Sequence, residues 1–384
     1  MPTTVRPLAE YLTALVDPRK PKGLRHQLVA ILCLCVVAML CGAKTPKAIA
    51  QWWKNRPDPK LFLERLGFTH AYGPGKSTLY RVLALVTVEA FITQVNCWLA
   101  ENFPQLFTAE PNTLDGVSID GKTLRGSRKQ GAVNTHLFSA FSHRLRCTFA
   151  QLGVDDKTNE IGAMPDMLAD LVIAGHVFTM DALLTQRDIA ETIVENKGDY
   201  VMIAKDNQPT LRADIATLFE PEHCMPGFSP PPKDLREETS INKGHGRLEY
   251  RTLQASTALN EYLDWPGVHQ VFRLARKTII LKTGEVRQET VYGLTSLPPA
   301  RASAAQLLHL TRAHWGIENR SHWVRDVTFG EDQSQVRKGT LPQMMAALRT
   351  CVIGLFHLCK FRWVPDGFDF FAARPMEALA TLGC

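Results

Sequence analysis

The chain has 384 residues, 45% of them apolar, a net charge of +6 and a pI near 8.8. It is long enough for two or three compact units and too apolar for a disordered chain, while the charge favours an anionic partner only mildly. Nine scattered cysteines with no CxxC pair, and no visible secretory leader, fit a reduced cytoplasmic protein rather than a disulfide scaffold.

Residues 1–110 read as an all-helical region. Apolar residues recur at helical spacing over Leu8–Val16, Leu28–Cys41, Pro46–Trp53, Lys60–Leu66 and Ser77–Leu99, punctuated by Pro and Gly. The run Leu28–Ala43 is short for a membrane span and reads as a buried helix. Gly73-Pro-Gly-Lys-Ser77 invites comparison with a P-loop, but the spacing fails because position 70 is His70. It predicts a turn and a helix start, with Ser77 or Thr78 as cap.

The pattern changes after Thr113. Gly116–Asp120 predicts a short strand ending in Asp-Gly, and Thr135–Ser142 and Thr148–Val154 predict two more in an antiparallel meander. A helix over Asn159–Ala174, a strand over His176–Asp181, a helix over Thr185–Asn196 and a strand over Asp199–Lys205 follow. Three strands followed by this alternation predict an α/β fold, a mixed sheet flanked by helices. Residues 208–300 are β-rich, with strands expected over Arg247–Gln254, His269–Ala275, Lys277–Lys282 and Thr290–Leu294, which is longer than an ordinary connection. Helical pattern returns from Ser303 to Thr328, and again over Leu341–Leu358. The expected divisions are 1–110, a core of 111–207 with 301–360, an insertion 208–300 and a tail 361–384.

The stretch from His314 to Phe329 carries the most chemistry. On an α-helix, His314, Glu318, His322 and Arg325 share one face, with Trp315 and Trp323 beside it as anchors into a core. Asp120 and Asp181 end their strands, where ligands gather in α/β sheets, although each could equally cap a turn. With Glu318 they would form a set of hard oxygen donors suited to Mg²⁺ or Mn²⁺, two of which can act on a phosphodiester. His314, Glu318 and His322 could instead hold zinc, but the spacing is not H-E-x-x-H and no further ligand is evident. Lys122, Arg125, Arg128 and Lys129 form a basic cluster that beside a metal becomes a candidate phosphate track. Lys205, Asn207 and Gln208, after a strand, could contact phosphate or form a polar turn.

Eight ordered segments resemble the bacterial insertion-sequence transposases of the DDE type, in the H-repeat-associated branch, over nearly the whole length. They are Asp17-Pro-Arg with Gly23–His26, Ala38–Ala43, Ser118–Lys122, Asn159–Ile161, Thr179–Ala182 with Gln186, Gly198–Tyr200 with Lys205 and Asn207-Gln208, Gly244–Arg247, and His314–Asn319 through Val327–Phe329. The resemblance implies a ribonuclease-H-like core interrupted by the β-rich insert, with Asp120, Asp181 and Glu318 as the metal-binding triad. It also implies two Mg²⁺ or Mn²⁺ ions, cleavage and strand transfer at inverted-repeat ends, target DNA as a partner, and a homodimer in the synaptic complex. The expected setting is the bacterial cytoplasm, at the nucleoid and without a membrane. Related transposases carry Tyr-x2-Arg-x3-Glu-x6-Lys on the last helix. Aligned on Glu318, this chain has Thr311, His314 and Arg325, so Arg325 retains a cation for a phosphate contact. The helical N-terminal region is expected to serve end recognition or dimer contacts. An inactive transposase-derived DNA-binding protein and a general ribonuclease-H-like nuclease are the alternatives.

Overall fold

The computed structural model describes residues 6–22, 24–104, 113–124, 135–154, 161–169, 171–220 and 234–384. In chain order they form α1 (Leu8–Leu12), α2 (Leu28–Leu40), α3 (Pro46–Lys54), α4 (Pro59–Arg65), α5 (Lys76–Leu83), α6 (Val88–Asn102), β1 (Asp115–Leu124), β2 (Thr135–Ser142) and β3 (Thr148–Val154). There follow α7 (Met164–Ala169), β4 (His176–Met180), α8 (Arg187–Glu195), β5 (Asp199–Ala204), α9 (Pro209–Leu218), β6 (Arg236–Gly244), β7 (Arg247–Ser256), β8 (Gln270–Ile280), β9 (Val286–Thr295), α10 (Ala304–His314), α11 (Leu341–Leu358), α12 (Val364–Ala373) and α13 (Pro375–Leu382). The chain divides into two compact units: residues 1–108, 121–163 and 316–384 in the first, and 109–120 and 164–315 in the second.

The first unit has a helical core. In α2 every residue but Val29 is buried, so its uniformly apolar sequence makes it a central helix with α3, α11 and α13 against it. α11 is long and apolar enough to cross a membrane by length and composition, yet 78% of it is buried within the protein, as expected of a core helix. α3 and α4 start where sequence rules place a start: Thr45 and Asp58 accept from the amides of Ala48 and Leu61, each followed by Pro. The expected Ser77 or Thr78 cap does not form. Trp53 Nε1 donates to Pro74 O at 3.1 Å and pins the preceding turn, so Gly75 is the cap and α5 begins at Lys76. The expected helix over 77–99 is two, α5 and α6, bent by 87°. β2 and β3 form an antiparallel hairpin, with β2 beside β1. Residues 361–384, which the sequence leaves as a tail, carry α12 and α13.

In the second unit the strand order is β1-β4-β5-β9-β8-β7-β6. β1, β4 and β5 are parallel, and the rest of the ladder is antiparallel. α8 and α9 lie on β5, and α10 crosses β4, β5, β6 and β7. The architecture is therefore a mixed α/β sheet with helices on it. The β-rich stretch continues this sheet, because β9 pairs directly with β5 from Val201↔Thr295 to Ala204↔Tyr292. Leu307, Leu308 and Leu310 of α10 join Val177, Val201, Leu253, Phe272 and Leu274 in one buried cluster. Each such side chain contributes ~1.5–3 kcal/mol by leaving water.

Several elements depart from expectation. β6 is missed by the sequence because no residue of it is buried, so it has no apolar alternation to read. The two strands expected over 269–282 are one, β8, since Arg276 and Lys277 pair in register with Glu289 and Gln288 of β9. The expected helix over 159–174 is only α7, preceded by a tight turn at Ile161–Ala163. β1 does not end at Asp120-Gly121 but runs on to Leu124. Beyond His314 the expected α-helix gives way to wider π-helical turns, Glu318–His322 and Val324–Thr328. Widening the turn rotates later side chains off the shared face. Arg325, seven residues after Glu318, is 0% exposed, and Trp315 and Trp323 are 49% and 52% exposed rather than anchored in a core.

Arg325 instead belongs to a buried charge cluster of the first unit. Glu331 accepts from Arg325 Nε at 2.9 Å and from Arg349 Nη1 at 2.8 Å, with Arg325 Nη2 at 2.6 Å. Burial pushes the Glu331 carboxyl up, but Arg325 and Arg349 outweigh it and hold it below its ordinary value. The stabilisation is present above the unfolded carboxyl pKa, about 4.3, and is lost as pH falls through the lower folded value.

Two outcomes follow for stability. Glu331→Gln should cost about 3–5 kcal/mol by leaving two guanidinium groups buried without their counter-charge. In urea melts the wild type should lose stability below about pH 4 by a margin the variant lacks; identical pH profiles would contradict the pairing. Gly293→Ala would set a Cβ 2.5 Å from Met202 O and 2.3 Å from the Phe272 ring. It should lower stability by about 1–3 kcal/mol, and an unchanged thermal midpoint would show that the strands can separate there at no cost.

Candidate active site

In the second unit β1 and β4 run side by side with Ser118 opposite Thr179 and Ile119 opposite Met180. The next residue on each strand is an acid, Asp120 and Asp181. Side chains alternate along a strand, so both acids lie on the face that Ser118 and Thr179 share. Neighbouring strands are ~4.8 Å apart, so the two residues follow adjacent positions of the register. Asp181 lies just past the end of β4, where its Oδ1 accepts from Leu183 N at 2.9 Å and caps a short turn. Asp120 stands within β1, at the point where the parallel pairing with β4 stops. Asp181 is exposed and Asp120 half-buried.

His314, the last residue of α10, is tied to the same face. Its Nδ1 lies 3.0 Å from Thr179 Oγ1 and 3.2 Å from Thr179 O, and Ser118 Oγ donates to His314 O at 3.1 Å. The imidazole is pulled in two directions. Burial lowers its pKa, while Asp120, Asp181 and the Thr179 carbonyl raise it; burial wins and the value stays below 6.5. A neutral ring at pH 7 follows. Both acids act on this one imidazole, so the structure brings Asp120, Asp181 and His314 into one carboxylate–histidine group.

In the first unit the helical run continues from Glu318, whose Oε2 lies 3.3 Å from His322 Nδ1. Glu318 is half exposed and His322 buried, and the imidazole braces the carboxylate. The turn is held by Thr148 Oγ1, which donates to Ser321 Oγ at 3.1 Å.

The cations expected on DNA behave differently. Lys122 is 9% exposed and its Nζ lies 2.5 Å from Asp326 Oδ2, and Arg325 is enclosed by Glu331. Both brace the helical run; neither faces solvent. The sequence could not show this, because Lys122 and Asp326 are far apart along the chain, and the acids were not read as partners. Asn207 Nδ2 donates to Ala182 O, and Gln208 Nε2 to Thr185 O at 3.1 Å. These two amides tie the end of β5 to the loop that carries Asp181. Lys205 is exposed beside them. Arg125, Arg128 and Lys129 lie outside the described residues. Thr311 is buried and its hydroxyl donates back to Leu307 O at 3.0 Å.

Comparisons with known proteins identify the family. Residues 111–355 match the transposase DDE domain family, and residues 9–99 match a DDE_Tnp_1-associated family. "Putative transposase YncI" of Escherichia coli O157:H7 is 29% identical over 370 residues, covering 93% of this chain and 89% of the relative. "H repeat-associated putative transposase YhhI" of Escherichia coli K12 is 29% identical over 367 residues, covering 91% and 90%. A solved structure of a piggyBac transposase synaptic complex with hairpin DNA aligns over 97% of this chain and 76% of that chain at 10% identity and a TM-score of 0.39, below the level at which a shared fold follows. The family match spans more than half of the chain and includes Asp120, Asp181 and the helical run of Glu318: this chain belongs to the DDE transposase family, among relatives that include the H-repeat-associated proteins.

Proposed function

We propose that this transposase binds the inverted-repeat ends of its own element, hydrolyses one strand at each end, and directs the freed 3′-hydroxyl onto a target phosphodiester. Asp120, Asp181 and Glu318 are its metal-binding residues. The observation that carries the reading is that Asp120 and Asp181 each follow the last paired residues of two adjacent parallel strands, Ile119 and Met180, with His314 hydrogen-bonded to Thr179 beside them and acted on by both carboxylates. The strand orders β3-β2-β1 and β1-β4-β5 support a ribonuclease-H-like core.

The donor set fits the metal. Three carboxylates from separate elements, at least partly open to solvent, are hard oxygen ligands of the kind Mg²⁺ or Mn²⁺ takes while keeping water and phosphate. Two such ions, when bound, supply an activated water and charge neutralisation at the leaving oxygen. The chain's own groups do the positioning. Asp181 is fixed by the Leu183 amide, Glu318 is braced by His322, and a neutral His314 adds no positive charge to compete with the cation. Asn207 and Gln208 steady the Asp181 loop, and exposed Lys205 is placed to meet a phosphate. DNA is accordingly the partner, with a dimer bringing two ends together, and the cytoplasm at the nucleoid is the setting. The helical N-terminal region serves end recognition or dimer contacts.

The test is cleavage of DNA carrying the ends that flank the gene, with Mg²⁺ supplied or chelated. The wild type should cut at the ends only with the metal. Asp120→Asn, Asp181→Asn and Glu318→Gln should each lower the rate by roughly 10²-fold or more, the scale on which a preorganised charge acts. Unchanged cutting in any of them removes that residue from the mechanism, and cutting indifferent to the end sequence would mark a general nuclease instead.

A further inference from the structure

The first unit contains a pocket of about 540 Å³ walled by Arg144, Arg146, Arg320, His357, Lys360 and Arg362. No carboxylate is among the described residues that line it. The cations come from three separate segments. Arg144 and Arg146 lie in the tight turn of the β2–β3 hairpin, closed by Ser142 N on Cys147 O at 3.0 Å and Arg146 N on Ser142 O at 2.8 Å. Arg320 belongs to the π-helical turn of Glu318. His357, Lys360 and Arg362 sit at and beyond the end of α11. The carbonyl end of that helix favours nearby cations and so accounts for Lys360, but it gives no reason for arginines to converge there from the other two segments.

Convergence of like charges costs stability. Burial, then Arg320, push His357 down to about 4, so its imidazole is neutral and its buried Nε2 has no hydrogen-bond partner among the described residues. Arg146, Arg320, Lys360 and Arg362 make no salt bridge with a described carboxylate. Elsewhere in this unit the buried cations Lys122, Arg325 and Arg349 all have acids. Among the described residues, Arg146, Arg320, Lys360 and Arg362 are therefore open to a counter-ion from outside the chain.

We propose that this pocket seats consecutive backbone phosphates of DNA, on the side of the helical run away from Glu318. The proposal rests on the DNA reading above and adds a second place where the duplex is gripped. Arg320 follows Glu318 by two residues, and side chains two apart on a helix point to different faces. The phosphates held here are therefore not those at the metal-binding acids. Guanidinium forks bind phosphate oxygens in pairs, and several cations spread over one pocket match a row of phosphates better than a single small anion.

The experiment measures anisotropy of a fluorescent duplex of arbitrary sequence against salt, with divalent metal absent. The variant Arg146→Gln/Arg362→Gln changes two exposed side chains, and its thermal midpoint is checked against the wild type. It should bind the duplex several-fold more weakly, and the slope of log K on log salt should fall by about 2. Arg320→Gln should show the same direction and Arg320→Lys a smaller loss. Equal affinity and equal slope in folded variants would overturn the proposal. So would a free-anion outcome, in which tripolyphosphate raises the wild-type midpoint but not that of the double variant while duplex binding is the same in both. Because no metal is present, the two readings fail separately. A wild type that never cleaves but loses duplex binding in these variants would sink the cleavage reading alone. Metal-dependent cleavage with duplex binding indifferent to the pocket would sink only this one.

Discussion

The hydrogen bonds between His314 and Thr179, with the one from Ser118 to the His314 carbonyl, are the contact on which the site depends. They fix the last turn of α10 against two strands at the register position two residues before Asp120 and Asp181. A half-buried, neutral imidazole can hold this place beside two carboxylates without forming a fixed ion pair with either. The ring accepts from the Thr179 hydroxyl or donates to the Thr179 carbonyl, and either arrangement keeps it in the same position.

Much of this was legible in the sequence, for reasons that differ by element. α2 and α11 are apolar on nearly every side and could only be core. β4 and β5 are short apolar runs bounded by turn residues, which is how fully buried parallel strands read. β6 carries no such signal, because its residues are exposed or only half-buried, and only pairing with β7 makes it a strand. The π-helical turns were also beyond reading, since a wider turn is built from the same residues as an α-turn. That one difference relocated Arg325 from a supposed shared face with Glu318 to the interior, and left Trp315 and Trp323 half exposed. Asp181 shows how two readings of a strand-end acid coexist: it caps a turn through one oxygen, which orients the rest of the carboxylate.

A division of labour emerges among the charges. Two acids that the sequence marks for chemistry, Asp181 and Glu318, are exposed, whereas Asp326 and Glu331 face buried cations. Lys122, Arg325 and Arg349 spend their charge inside the protein, where they hold the helical run that bears Glu318. Charge available to a polyanion lies instead on exposed residues such as Lys205 and in the arginine-lined pocket. A modest net charge of +6 is consistent with this, because the basic surface is local rather than general.

The central claim is that Asp120, Asp181 and Glu318 chelate divalent cations as one set. Electron paramagnetic resonance of Mn²⁺ titrated into the metal-free protein addresses it directly, without needing the end sequence or an active complex. The account predicts bound Mn²⁺ in the wild type and a clear loss of that signal when any one of the three acids is replaced by its amide. Binding that survives all three replacements would contradict it.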